Sequence, residues 1–311
     1  MPNSTYCRIV TLPLFKEYSD MSAIKILVTS QKGGVGKSTL TANLAAFFAH
    51  HHHRKVSLVD FDHQASSSTW LTRAPIAGAT PTVCDVVTER DPQLAVLKMR
   101  QAIRLAERDA DFVFADLTWI NIFPSSLMLD FDIVIVPTSL SKLELSSSIE
   151  FVSRFKAVFN TPGDFAPKLV IVPSRLHREQ DYQDILTQNN FPVRFSLTSP
   201  LPFFLDIQSI FGQEYIFNTK NQHCRDSFLQ IGHELGQAVK EIQETRELKQ
   251  AGDKVTPIWN SKKRAGLGAT LLDTFVFEQH SRQKESLIHT VVQAEPARSF
   301  GNFFSKFKKA V

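Results

Sequence analysis

A chain of 311 residues, 43% hydrophobic and 21% charged, can bury a sizeable core, and none of its apolar runs approaches the roughly 18 residues that span a bilayer. Three cysteines, Cys7, Cys84 and Cys224, are odd in number and lack a C-x-x-C pair, which argues against a disulfide framework or a thiol metal site and for a reduced, cytoplasmic setting. The net charge of +4 is uneven: from Arg246 onward twelve Lys and Arg face six Asp and Glu, so the basic character lies in the tail.

Residues 1–22 are too mixed and acidic for a secretory signal and are expected to be a flexible extension. Ile26-Leu27-Val28 then reads as a buried strand, Gly33, Gly34, Val35 and Gly36 as a glycine-rich turn, and Lys37-Ser38-Thr39 as the opening of a helix through Phe48. Such a turn aims backbone N–H groups at an anion and the helix terminus adds partial positive charge. Lys37 can reach β/γ-phosphates, and Ser38 stands where a hydroxyl ligates Mg²⁺. The pattern departs from G-x-x-x-x-G-K-[ST] because Gln31 replaces the first glycine and Lys32 precedes the others.

That departure is informative, since QKGGVGKST resembles the deviant Walker A motif of the ParA/MinD family of dimeric ATPases. The resemblance implies ATP and Mg²⁺ as ligands, an ATP-dependent homodimer, Gly33 to Thr39 as the nucleotide-binding segment, and Lys32 as the lysine that reaches the partner's nucleotide. Gln31 is closer to the plasmid and chromosome partition branch than to the MinD branch.

His50 to His53 fall between helix and strand and are expected in a solvated loop rather than as metal ligands. A strand from Val56 to Phe61 ends in Asp60-Phe61-Asp62-His63-Gln64, which resembles the family's D-x-D-P-Q segment, with His63 in the place of proline. By that resemblance Asp62 positions the attacking water and Asp60 supports the Mg²⁺ site or a nucleotide-sensing switch at Ala65 to Trp70. Residues 73–81 read as loop, Val83 to Thr88 as a short helix, and Leu94 to Arg108 as a helix whose Leu94, Leu97, Ile103 and Leu105 pack on a sheet.

Asp111 to Asp116 is a buried strand that offers Asp116 as the Walker B carboxylate holding Mg²⁺ through water. Where the family continues D-x-P-P this chain has Leu117-Thr118-Trp119, which predicts slow or altered hydrolysis and keeps a pseudo-ATPase scaffold open. Strands at Phe131 to Pro137, Lys168 to Pro173 and Phe191 to Leu197 alternate with a helix from Leu143 to Phe159. The pattern predicts an α/β fold with a doubly wound, mostly parallel sheet flanked by helices. Ser174 and Arg175 stand where relatives read the adenine base. Residues 198–215 contain no Lys or Arg, and their Phe203, Phe204 and Leu205 suit a buried contact or a partner patch equally. Phe228, Ile231, Leu235, Val239 and Ile242 line a last core helix, which closes a nucleotide-binding domain over 23–245.

Residues 246–297 read as a basic linker, and in 298–311 Phe300, Phe303, Phe304 and Phe307 fall at helical spacing among lysines. This end resembles the membrane-targeting helices of MinD-type proteins, with an anionic membrane, a protein partner and the chain's own domain as open destinations. The expected function is an ATP-dependent switch that positions or partitions a plasmid, chromosome or protein cargo. A partner would stimulate its hydrolysis, and non-specific DNA or a membrane would be its surface. A metabolic ligase on the same fold would need a small-molecule pocket beside the γ-phosphate, and no residue set specifies one.

Overall fold

Strand β1 (Ile24–Ser30) is buried at every residue but Lys25, because IKILVTS has apolar or small residues on both faces. The computed structural model describes residues 22–254 apart from 87–88, 90, 121–122, 163–165, 177–181, 189–190 and 204–206. The expected N-terminal extension, Phe204 and Leu205, and the Phe300 to Phe307 segment lie outside the described residues. β1 is joined by β2 (Val56–Asp60), β3 (Ala79–Val83), β4 (Phe112–Thr118), β5 (Ile133–Thr138), β6 (Lys168–Leu176), β7 (Ser196–Leu197) and β8 (Leu201–Pro202). Their order is β3-β2-β4-β1-β5-β6-β7, with β8 also on β6, and every pair is parallel. The predicted parallel sheet is the one observed.

Helices cover both faces. On one side α1 (Lys37–His51), α2 (Ser66–Arg73) and α8 (Gln222–Lys254) pack Phe47, Phe48, Trp70, Phe228 and Leu235 against the sheet. On the other, α3 (Pro92–Glu107), α4 (Lys142–Arg154), α5 (Lys156–Phe159) and α6 (Tyr182–Gln188) contribute Met99, Ile103, Phe151, Phe155 and Leu186. The short α7 (Ile207–Ile210) leads into a single 3-10 turn at Ile216–Asn218. α1 is buried nearly all round, and α8 approaches it so closely that a Cβ on Gly232 would lie 2.5 Å from the Phe47 ring. No helix among the described residues is long and apolar enough to cross a membrane.

Several expectations are corrected. Residues 79–81, expected as loop, belong to strand β3, and Pro81 is tolerated because β3 is an edge strand. The expected helix at Val83 is absent: Val83 closes β3 and Cys84 to Val86 are irregular. In α3 the buried side is Ala95, Val96, Met99 and Ile103, while Leu97 and Leu105 are 62% and 52% exposed. The helix from Leu143 breaks at Phe155, whose ring is buried beside Trp119, and β7 keeps only two residues of the strand expected from Phe191. His50 and His51 are the last residues of α1 and only His52 and His53 lie in the connection to β2, while all but the half-buried His52 are exposed as expected.

The composition boundary at Arg246 falls inside α8. The Arg246 guanidinium donates to Asp132 Oδ1 at 2.6 Å and to the Ser22 carbonyl at 3.0 Å, so the first basic residue of the presumed linker is part of the fold. One turn earlier Glu241 pairs with Lys168.

Candidate functional site

All strands being parallel, β1, β2 and β4 release their chains at one edge, the place where open α/β sheets bind ligands. The β2–β4 register sets Asp60 opposite Asp116, and the β1–β4 register sets Val28 opposite the same Asp116. From β1 the chain turns through residues 31–36 into α1. Gly34 and Gly36 have φ of +75° and +93°, a conformation that glycine adopts at little cost. A Cβ on Gly33, Gly34 or Gly36 would meet nothing within 4 Å, so the turn borders open space of the kind a phosphate chain fills. Gly36 caps α1 without a side-chain bond and no acidic residue stands in the first turn, which leaves the N-terminal N–H groups for an anion.

Lys37 is 7% exposed and Ser38 and Thr39 follow it in the first turn. Burial pushes the Lys37 ammonium below its ordinary pKa, and the charges of Asp116 and Asp62 pull it back. Asp116 is fully buried, and neither carboxylate oxygen has a hydrogen-bond partner. Burial and then the Asp60 charge raise its pKa to about 7. The nearby Ser38 hydroxyl, Lys37 charge and Ser67 hydroxyl offset part of that rise without completing a bond of ordinary length. A buried carboxylate without a donor is costly, and a hard divalent cation is the partner its oxygens suit. Ser38 and Asp116 therefore fit Mg²⁺, with phosphate and water oxygens completing the shell.

Asp60 does not present itself as a ligand. Its Oδ2 accepts from the Ser67 hydroxyl at 2.6 Å and the Ser68 N–H at 3.0 Å, and its Oδ1 accepts from the Asp62 N–H at 3.1 Å. Of its two expected roles, support of the Mg²⁺ site or of the switch, these bonds are those of the second: Asp60 holds the N-terminus of α2, whose own cap residue, Ala65 at φ +46°, supplies no side-chain bond. Asp62, half-buried, accepts from Thr118 Oγ1 at 2.7 Å and from the Gln64 N–H at 3.3 Å. His63 turns away to an exposed pair with Asp85 at 2.9 Å.

Lys32 is half-buried on the outer arm of the turn, its carbonyl held by Ser30 Oγ at 2.7 Å. Its charge reaches Glu144 on α4. Burial works to raise the Glu144 carboxyl, but hydrogen bonds from Arg175 and Ser139 and the charges of Arg175 and Lys32 outweigh it and hold the group below its usual range. The cleft bounded by Gln31, Lys32, Glu144 and Ser147 has about 10 Å³ of room, the minimum for one water.

The expected base-reading pair stands at the end of β6 with both side chains engaged within the protein. Ser174 is buried and its hydroxyl donates to the Val35 carbonyl at 3.0 Å, while Arg175, at φ +57°, gives its guanidinium to Glu144. Both side chains brace the site from β6. Ser67 and Ser68 lie in the segment expected to be the switch and Thr118 in the stretch that departs from the family, but their bonds to Asp60 and Asp62 were not foreseen from sequence.

The histidine run packs on aromatic rings, with His52 against Phe48 and His50 stacked on Phe217. Burial, then His233, His51, Arg54 and His53, push His52 down to about 4. Among the described residues no group of three His, Cys, Asp or Glu side chains could hold a metal ion. Cys84 and Cys224 are not joined in a disulfide.

Comparison with known proteins agrees with this geometry. Residues 26–220 match the CobQ/CobB/MinD/ParA nucleotide binding domain. Maintenance of carboxysome distribution protein A of Halothiobacillus neapolitanus is 26% identical over 156 residues, which is 48% of this chain and 66%, just under two thirds, of that protein. Two solved structures share the fold. The ATP complex of a Cyanothece McdA variant has a TM-score of 0.55 at 15% identity over 70% of this chain and 98% of its own. A Borrelia burgdorferi B31 protein described as a plasmid partition protein, bound to AMPPNP, has a TM-score of 0.51 at 18% identity over 67% and 98%. The chain belongs to the CobQ/CobB/MinD/ParA nucleotide-binding family.

Proposed function

We propose that the protein is an ATP-driven switch that dimerises on ATP, positions or partitions a plasmid, chromosome or protein cargo, and is released when a partner stimulates hydrolysis. The observation that carries this reading is the fully buried, donor-less Asp116 set beside Lys37 and Ser38 under an open glycine turn. The resemblance to proteins named for carboxysome distribution and plasmid partition supports the positioning role.

In this reading the N–H groups from Gly33 to Thr39 and the Lys37 ammonium hold the phosphates, and Ser38 and Asp116 hold Mg²⁺. Bound there, Mg²⁺ neutralises charge on the β- and γ-phosphate oxygens. Asp62 orients water in line with the γ-phosphorus. The water oxygen bonds to phosphorus as the bond to the β–γ bridging oxygen breaks, and inorganic phosphate carries away the water's protons. Lys32 serves the nucleotide of the second subunit. Asp60 couples the site to α2. The segment 198–215 offers no Lys or Arg, so contact with non-specific DNA falls to the basic tail, whose salt dependence would be steep.

The test combines ATP turnover, light scattering with ATP or ADP, and co-sedimentation with duplex DNA or anionic liposomes. ATP-dependent dimers and slow turnover, both lost in Lys37→Ala, are expected, with Asp62→Ala trapping the dimer. DNA retained only with ATP supports a nucleoid-borne cytoplasmic switch. Retention on liposomes, lost on truncation before Arg298, would make the membrane the surface instead. ATP binding without a change of mass would overturn the switch.

A further inference from the structure

We propose that Thr118 is a positioning residue for Asp62, holding the carboxylate that orients the attacking water; this rests on the hydrolytic reading above. The contact follows from the sheet. Asp60 and Asp116 are register partners on β2 and β4, and the Phe61 N–H continues the pairing onto the Asp116 carbonyl at 2.9 Å. Two residues further along each chain, Asp62 and Thr118 meet again, now through side chains, with the Thr118 hydroxyl donating to Asp62 Oδ2 at 2.7 Å. The geometry of two parallel strands is thereby carried past the end of β2 into a turn whose backbone is held by the Asp62 N–H bond to Asp60 and the Ala65 N–H bond to the Asp62 carbonyl.

Thr118 is well suited to hold that carboxylate. It is the last residue of β4, and its neighbours are tied to β1 on both sides. The Leu117 carbonyl accepts from Thr29 Oγ1 at 2.8 Å, and the Trp119 N–H donates to the Ser30 carbonyl at 3.0 Å. The Trp119 ring is buried against Phe155. A β-branched side chain on such a backbone has few rotamers, so the hydroxyl points one way. Asp62, by contrast, sits in a turn with only the long Gln64 N–H bond on its other oxygen. That oxygen keeps capacity to accept from a water, and the Lys37 charge lies within electrostatic reach of the same carboxylate. A hydroxyl donating to a carboxylate is one of the stronger neutral-to-charged bonds, and Thr118 gives or takes no proton in the reaction.

The replacement at 117–119 thus supplies a hydroxyl where a proline would have none, and Thr118 stands beside the chemistry rather than marking its loss. The full chain is assayed for basal hydrolysis of γ-labelled ATP, together with ATP affinity by equilibrium titration and thermal stability. Thr118→Val, which keeps shape and deletes the donor, is expected to lower kcat about ten-fold with KM and ATP affinity within about two-fold. Thr118→Ser restores turnover to within about three-fold, and Thr118→Val adds little further loss in an Asp62→Ala background. Thr118→Ala serves the same comparison if the valine variant fails to fold. Wild-type turnover in Thr118→Val alongside an inactive Asp62→Ala overturns the proposal and leaves the hydrolytic reading intact. A serine variant as slow as the valine one shows a merely structural role and also overturns it. Wild-type protein that binds ATP without turning it over removes the hydrolytic reading and the proposal with it.

Discussion

The Ser174 hydroxyl donates to the Val35 carbonyl at 3.0 Å, joining the end of β6 to the middle of the glycine turn across 139 positions of sequence. This bond ties a loop that has few apolar contacts of its own to the rigid sheet. Ser174→Ala leaves the Val35 carbonyl without that donor, a loss of about 1 kcal/mol, or about five-fold in affinity. A brace predicts that ATP and GTP weaken together in equilibrium titration. A base-reading serine would instead change the ratio between them.

Asp116 makes stability depend on pH in an unusual sense. Its folded pKa of about 7 lies above the ordinary carboxylate value, so its contribution is fully present below about pH 4 and is lost as pH rises through 7. Without divalent cation, Asp116→Asn should therefore melt several degrees higher than wild type at pH 8 and no higher at pH 4. Adding Mg²⁺ with nucleotide should stabilise wild type and leave the variant nearly unchanged. Calorimetry at the two pH values reads both effects.

His52 works in the opposite direction. Its folded pKa of about 4 lies below the ordinary histidine value, so its contribution is present above pH 6.5 and is lost as pH falls towards 4. In His52→Gln the drop in melting temperature between pH 7 and pH 4.5 should be smaller than in wild type. An equal drop in both proteins would remove His52 as the cause.

At Gly232 two effects compete. An alanine gains up to about 1 kcal/mol of helix propensity, but its Cβ would lie 2.5 to 2.8 Å from three atoms of the Phe47 ring, which is fully buried and cannot swing away. Overpacking of this kind costs about 1 to 3 kcal/mol, so Gly232→Ala should lower the melting temperature by a few degrees. Gly236→Ala, whose nearest neighbour is His52 at 3.8 Å, should raise it slightly.

Most of the parallel sheet was legible because β1, β4, β5 and β6 each carry a short apolar run, and the phosphate turn was legible because its glycines and Lys37 lie within five residues. β3 was not, since ATPTV is a half-exposed edge strand with neither an apolar run nor clean alternation. The buried side of α3 was misassigned because small Ala95 and flexible Met99 face the sheet while leucines face water. Ser174, Arg175 and Asp60 take partners brought close only by folding. A hydroxyl, a guanidinium or a carboxylate advertises its chemistry in sequence, but not which group will claim it.

The anchoring of α8 ties its C-terminal half to the end of the sheet away from the glycine turn. Lys168 and Asp132, which receive Glu241 and Arg246, stand where strands enter the sheet, whereas the glycine turn follows the point where β1 leaves it. The later turns of α8 are therefore bolted down at the pole opposite the phosphate turn. A change in that anchor would have to travel the length of the strands to be felt by the phosphates.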